Sequence, residues 1–99
     1  MKSLLVISAL LLSAPPAAAA QDTNSERLKG YNYGYIYAVG NTLCGLAIDK
    51  LIKKEYAKNM LSGTVKALLL VPDSKPFASD IQKAYQDITE DVACKSVYQ

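Results

Sequence analysis

Histidine is absent from the whole chain, cysteine occurs only twice, and no charged residue lies between Gly30 and Ile48. Without histidine, Ser-His-Asp and Cys-His nucleophilic sites cannot be assembled, and zinc and iron lose their commonest nitrogen ligand. A thiolate nucleophile would lack its base, so Cys44 and Cys94 are expected as an oxidised pair rather than as reactive thiols. The glycines offer no phosphate cradle: Gly30, Gly34 and Gly40 fall within one helical stretch and no P-loop lysine follows them. A long apolar run is missing too. A membrane span needs about twenty apolar residues, and the stretch Leu4 to Leu12 is followed by Pro15-Pro16 well short of that.

What stands at the N-terminus has the three parts of an export signal. Lys2 supplies the cationic start, Leu4 to Leu12 the apolar segment, and Ala18-Ala19-Ala20 the small residues a signal peptidase binds. Residues 1–20 are therefore expected as a cleavable signal and 21–99 as a single helical domain. No cysteine follows the small residues, so no lipid anchor is indicated. With Lys2 set aside, ten basic residues face nine acidic ones, interspersed rather than blocked, which is not the footprint of a nucleic-acid binder. Lys50, Lys53, Lys54 and Lys58 cluster locally, but Asp49 and Glu55 sit among them and a solvated helix face accounts for them equally well.

A domain this small has a marginal core, so a covalent staple has an obvious use. Closing the chain from Cys44 to Cys94 restricts the unfolded state by about 4 kcal/mol on the chain-entropy estimate. It also fits an oxidising, exported setting, periplasmic or secreted.

Along the domain, Gln21 to Arg27 is polar and reads as a loose arm. Tyr31, Tyr33, Tyr35 and Tyr37 alternate with smaller residues as a strand would, but helical spacing persists for longer. It puts Tyr33, Ile36, Tyr37, Gly40, Leu43, Cys44 and Ala47 on one stripe. Tyr31, Tyr35, Ala38, Val39, Thr42 and Leu46 form the opposite one. A helix apolar on both sides is the centre of a bundle or half core and half interface; the Gly30-Gly34 spacing keeps a membrane helix as a third reading.

A second helix is expected from Ile52 or Lys53 to Leu70, stopped by Val71-Pro72. Its stripe is Ile52, Tyr56, Met60, Gly63, Thr64, Ala67, Leu68 and Val71, widened by Leu61, Val65, Leu69 and Leu70. Asp73 and Ser74 ahead of Pro76 suit the capped start of a third helix, with Phe77, Ile81, Ala84, Tyr85 and Ile88 buried and an end near Glu90. Val92-Ala93-Cys94 then turns back to Cys44. The fold class is all-α: a small three- to four-helix bundle closed by one disulfide.

No catalytic residue, metal ligand or cofactor is assigned. Asp87, Glu90 and Asp91 share helical spacing but lack the loop of a calcium site, so they are read as exposed charges near a helix end. Seven tyrosines in so short a chain exceed what packing requires, and tyrosine combines large apolar area with a polar tip. Tyr33 and Tyr37 are assigned to the core with their hydroxyls reaching the rim. Tyr31, Tyr35 and Val39 are assigned to partner contact.

Gly34-Tyr35-Ile36-Tyr37-Ala38-Val39-Gly40-Asn41, then Cys44, a helix ending in Ala67-Leu68 and Pro72, and finally Ala84 and Cys94, resemble the Rap/Tai type of immunity protein. That resemblance covers most of 21–99 and implies an exported, singly disulfide-bonded helical protein that neutralises a peptidoglycan amidase effector of type VI secretion. Ala38 stands where the family commonly has glycine. The chain is also similar to small exported proteins of cyanobacteria with a tyrosine-rich helix and a cysteine pair. In size and cysteine separation it resembles the Hde-type acid-stress chaperones. The expected function is protein binding without catalysis; the alternatives are an acid-stress chaperone or a hydrolase lacking any recognisable motif. Neither nucleic acid nor stable membrane insertion is expected, and family analogy allows a homodimer.

Overall fold

The computed structural model describes residues 16–99, with side-chain surroundings from Ser25 onward. Residues 1–15 of the expected leader lie outside the described residues. Four α-helices follow in order: α1 (Pro16–Ile48), α2 (Lys54–Leu70), α3 (Ala78–Glu90) and α4 (Lys95–Tyr98), with a 3-10 turn at Pro72–Phe77 between α2 and α3. The described residues contain no strand, so the chain is a small all-α bundle.

α1 is 33 residues long, about 50 Å at ~1.5 Å per residue. The helix runs through Gln21 to Arg27, so the loose arm expected there is instead an early part of α1. It ends in a Schellman turn: Leu51 N–H donates to the Leu46 carbonyl and Lys50 N–H to the Ala47 carbonyl, with Lys50 at φ 62°. Lysine pays a steric cost in that left-handed conformation which glycine would not.

The inner stripe of α1 lies where its spacing places it. Ile36, Gly40, Cys44 and Ala47 are buried, Tyr33, Tyr37 and Leu43 half-buried. Asn32, also buried on this side, satisfies its amide by donating from Nδ2 to the Leu28 carbonyl at 2.7 Å. Against this stripe pack Ala57, Leu61 and Val65 of α2, Ile81, Ala84 and Ile88 of α3, and Val97 and Tyr98 of α4. A Cβ at Gly40 would come within 2.8 Å of Ile88 Cγ1, so glycine there lets the α1 and α3 backbones approach.

Three details differ from the sequence reading. The core face of α2 is Ala57, Leu61 and Val65, while Tyr56, Met60, Gly63, Ala67 and Val71, expected inward, are exposed. Apolar residues cover more than half the circumference of α2, so periodicity cannot find the centre of the face; packing against α1, α3 and the tail does. α3 starts at Ala78 rather than at an Asp73 or Ser74 cap, and its N-cap residue Phe77 makes no side-chain capping bond. A proline disfavours α-helical geometry at the residue before it, and the segment holding Pro76 winds as a 3-10 turn instead. Tyr85, expected in the core, keeps 36% of its surface exposed.

Cys44 and Cys94 form a disulfide with a Cα–Cα distance of 5.7 Å, both residues buried. The tail turns on Asp91, whose Oδ1 accepts from Ala93 N–H at 2.9 Å. α4 then docks by burying Val97 and by the Tyr98 hydroxyl donating to the Gly40 carbonyl. Burial pushes the Tyr98 phenol up to about 12.

Candidate functional site

The tyrosines of α1 divide into two i, i+4 pairs with different surroundings. Tyr33 and Tyr37 stack with ring centroids 6.1 Å apart on the bundle side. Tyr33 Oη donates to Asp87 Oδ2 at 2.5 Å and Tyr37 Oη to Asp91 Oδ2 at 3.0 Å. These two rungs tie α1 to α3 and show that the two helices run in the same sense. Donation to the Asp87 carboxylate, assisted by desolvation, pushes the Tyr33 phenol up to about 12, and the hydrogen bond to Asp91 likewise raises that of Tyr37. In return the Tyr33 hydroxyl holds the Asp87 carboxyl below its ordinary range, with Lys83 Nζ 3.4 Å away acting in the same direction.

Asp87 and Asp91 are thus not free helix-end charges but acceptors for buried-side tyrosines. The sequence carried a signal for this. Tyrosines at 33 and 37 repeat the four-residue spacing of aspartates at 87 and 91, the pattern two parallel helices need to pair twice.

Tyr31 and Tyr35 stack in the same manner, centroids 6.2 Å apart, but lie at the surface and are 66% and 44% exposed. No hydrogen bond is recorded for either hydroxyl among the described residues. Their rings form one wall of a groove of about 410 Å³ whose other wall is Thr64, Ala67, Leu68 and Val71 of α2. The rotation of α2 produces this groove: the stripe it fails to bury is the one that faces Tyr31 and Tyr35. A second hollow, between Tyr31, Leu28, Pro72 and Phe77, continues it toward the 3-10 turn, and a third beside Tyr35, Ala38 and Thr42 continues it along α1.

Val39, grouped by spacing with these tyrosines, is half-buried and packs against the core, so it forms the floor of the third hollow rather than a protruding contact. Met60 at 43% and Tyr56 at 51% exposure extend the apolar α2 side. The apolar groove has no charged residue in its walls. Lys50, Lys53, Lys54 and Lys58 are exposed, with Lys50 to Lys54 in the α1–α2 connection and the first turn of α2.

Among the described residues, no three His, Cys, Asp or Glu side chains gather in a way that could hold a metal ion. None of the described helices is long and apolar enough to cross a membrane, which leaves the membrane reading of Gly30-Gly34 without support. Comparison with family models, curated proteins and solved structures finds no match to this chain. The Rap/Tai-type likeness accordingly rests on the residues that carry it.

Proposed function

We propose that this chain is an exported helical module that binds another protein through the groove between Tyr31, Tyr35 and the outer face of α2, in the manner of an immunity-type inhibitor and without catalysis of its own. The observation that carries this reading is the exposed Tyr31–Tyr35 stack walling an uncharged apolar groove. Large rigid rings at a solvent boundary supply contact area at small entropic cost, and such aromatic anchors dominate protein interfaces. Val39 contributes from the adjoining hollow beside Tyr35. Export is supported by the three-part leader and by the Cys44–Cys94 disulfide, a bond that persists in oxidising compartments.

The test is capture of partners from the exported fraction by the full chain with its disulfide intact, compared with the Tyr31→Ala, Tyr35→Ala double variant. Loss of two anchor rings is expected to weaken the specific complex by about thirtyfold or more. Stability should change by only about 0.5 kcal/mol, the ordinary scale for exposed positions. Equal capture by both forms would place the contact elsewhere.

A second reading, an acid-opened chaperone, draws on one specific feature: two carboxylates, Asp87 and Asp91, hold α1 to α3 through tyrosine hydroxyls. It requires that acidification expose apolar surface and suppress aggregation of client proteins. A chain that stays closed and inactive toward clients at low pH removes it.

A further inference from the structure

We infer that the tip joining α1 to α2 docks on an anionic lipid bilayer, with Ile48 and Leu51 entering the headgroup region and Lys50, Lys53, Lys54 and Lys58 meeting the phosphates. This surface is separate from the tyrosine groove and goes beyond the protein-binding reading. Leu51 is 71% exposed and Ile48 50%, and all four lysines are exposed. Lys50, Leu51, Lys53 and Lys54 line one hollow of about 400 Å³ together with Ile52, which is half-buried and packs against the core.

Each component is unfavourable in the isolated chain. Leu51 and Ile48 leave apolar surface in water. Lys50, at φ 62°, takes the left-handed position of the Schellman turn where glycine or asparagine is usual. Lys53 is the N-cap of α2, without a side-chain capping bond, and Lys54 its first residue, at the end where the helix dipole favours acid over base. None of the four lysines is in an ion pair among the described residues. Asp49 and Glu55 are the acids of the segment, both exposed, so four lysines face two carboxylates. Glu55 lies about 100° round the helix from Lys54, whereas Lys58 follows Lys54 by one turn on the same side.

An anionic bilayer offsets all of these at once. It attracts each lysine, whose methylene stem can lie along the acyl boundary while the ammonium stays among the phosphates, and it takes the aliphatic side chains out of water. A soluble acidic polypeptide would answer the lysines and leave Leu51 and Ile48 wet. The other strongly exposed aliphatic residues lack this combination: Val92 directly follows Glu90 and Asp91, and Leu70 stands between Lys66 and Asp73. No described helix can cross a membrane, so the attachment is to the surface. From Lys54 to Ala67 α2 rises about 20 Å at ~1.5 Å per residue, which holds the tyrosine groove away from the docked tip.

The test is co-sedimentation of the chain recovered from the exported fraction, disulfide intact, with vesicles of phosphatidylcholine containing phosphatidylglycerol and with vesicles of phosphatidylcholine alone. Binding is expected on the anionic vesicles, about tenfold or more weaker on the neutral ones, and falling with added salt. Lys53→Gln combined with Lys54→Gln should weaken it about twentyfold, and Leu51→Ala about tenfold. The chain has no tryptophan, so Leu51→Trp is a single reporter. Its emission should shift to the blue on anionic vesicles, while that of Leu70→Trp, at the far end of α2, should not. Helicity by circular dichroism verifies that each variant is folded. Absence of binding to either vesicle overturns the inference, as do equal binding to both and equal shifts at positions 51 and 70. Retention on polyglutamate without vesicle binding assigns the lysines to an acidic polypeptide and overturns it too. The Tyr31→Ala, Tyr35→Ala variant should bind vesicles as the wild type does, so that failure at the tip and failure at the groove are read separately.

Discussion

The two sides of α1 carry the same kinds of residue, small groups and stacked tyrosine pairs, yet one side is fully engaged and the other has no partner within the chain. On the inner side every feature is answered: Gly40 by Ile88, Cys44 by Cys94, Tyr33 by Asp87, Tyr37 by Asp91. On the outer side Gly34 and Gly45 face open space, and Tyr31 and Tyr35 stack only on each other. Composition alone therefore does not mark an interface. What separates core from candidate contact surface is whether a residue type with a cost, glycine in a helix or a large ring in water, has a reason inside the molecule.

The largest expected effect comes from cutting the inner side. Cys44 and Cys94 are 50 residues apart in sequence, and the bond between them holds the tail against α1. Replacing both with alanine should cost about 4 kcal/mol by the chain-entropy estimate. Urea unfolding of the oxidised wild type and the double variant measures it. A loss below about 1 kcal/mol would mean that α4 docking by Val97 and Tyr98, rather than the disulfide, holds the tail in place.

Next in size is a contrast between two glycines of one helix. Gly40→Ala drives a methyl into Ile88 and should destabilise by about 1–3 kcal/mol, the range for overpacking. Gly34→Ala should stabilise by up to about 1 kcal/mol, because a Cβ there meets nothing and helix propensity acts alone. The same substitution with opposite signs, six residues apart, would quantify the division between the two sides. Equal signs would erase it.

The parts legible in the sequence were those where one residue type admits one explanation. Two cysteines without histidine gave the closure, and the uncharged, glycine-punctuated run gave the inner stripe of α1. The core face of α2 was not legible, because Tyr56, Met60 and Ala67 are as apolar as Ala57, Leu61 and Val65, and only three-dimensional packing chooses between them. That ambiguity concealed the groove, whose α2 wall is the rejected stripe. The start of α3 was misplaced because Asp73 and Ser74 resemble a cap whichever helical form follows them. Asn32 is buried, and its burial depends on a local bond to the Leu28 carbonyl that hydrophobic patterning does not register. Of the three residues assigned to the contact stripe, Tyr31 and Tyr35 protrude, whereas Val39 is half-buried against the core.

The smallest expected effect probes the inner tyrosines through pH. The Asp87 carboxyl is lowered by Tyr33, so its contribution is present above the ordinary aspartate range near pH 4 and is lost as pH falls through the lowered folded-state value. The Tyr33 phenol is raised to about 12, so the same hydrogen bond stabilises fully below pH 10 and is lost as pH rises from there through about 12. Tyr33→Phe keeps the ring and removes the donor. Its melting temperature should lie below that of the wild type between about pH 5 and 9, and the gap should close at both extremes, first on the acid side as Asp87 protonates. Tyr31→Phe, on the outer side, should show no such pH-dependent gap, since its hydroxyl has no recorded carboxylate partner. If the Tyr33 and Tyr31 variants gave the same profile, the hydrogen bonds to α3 would not be what distinguishes the two tyrosine pairs, and the acid-opened reading would lose its structural basis with them.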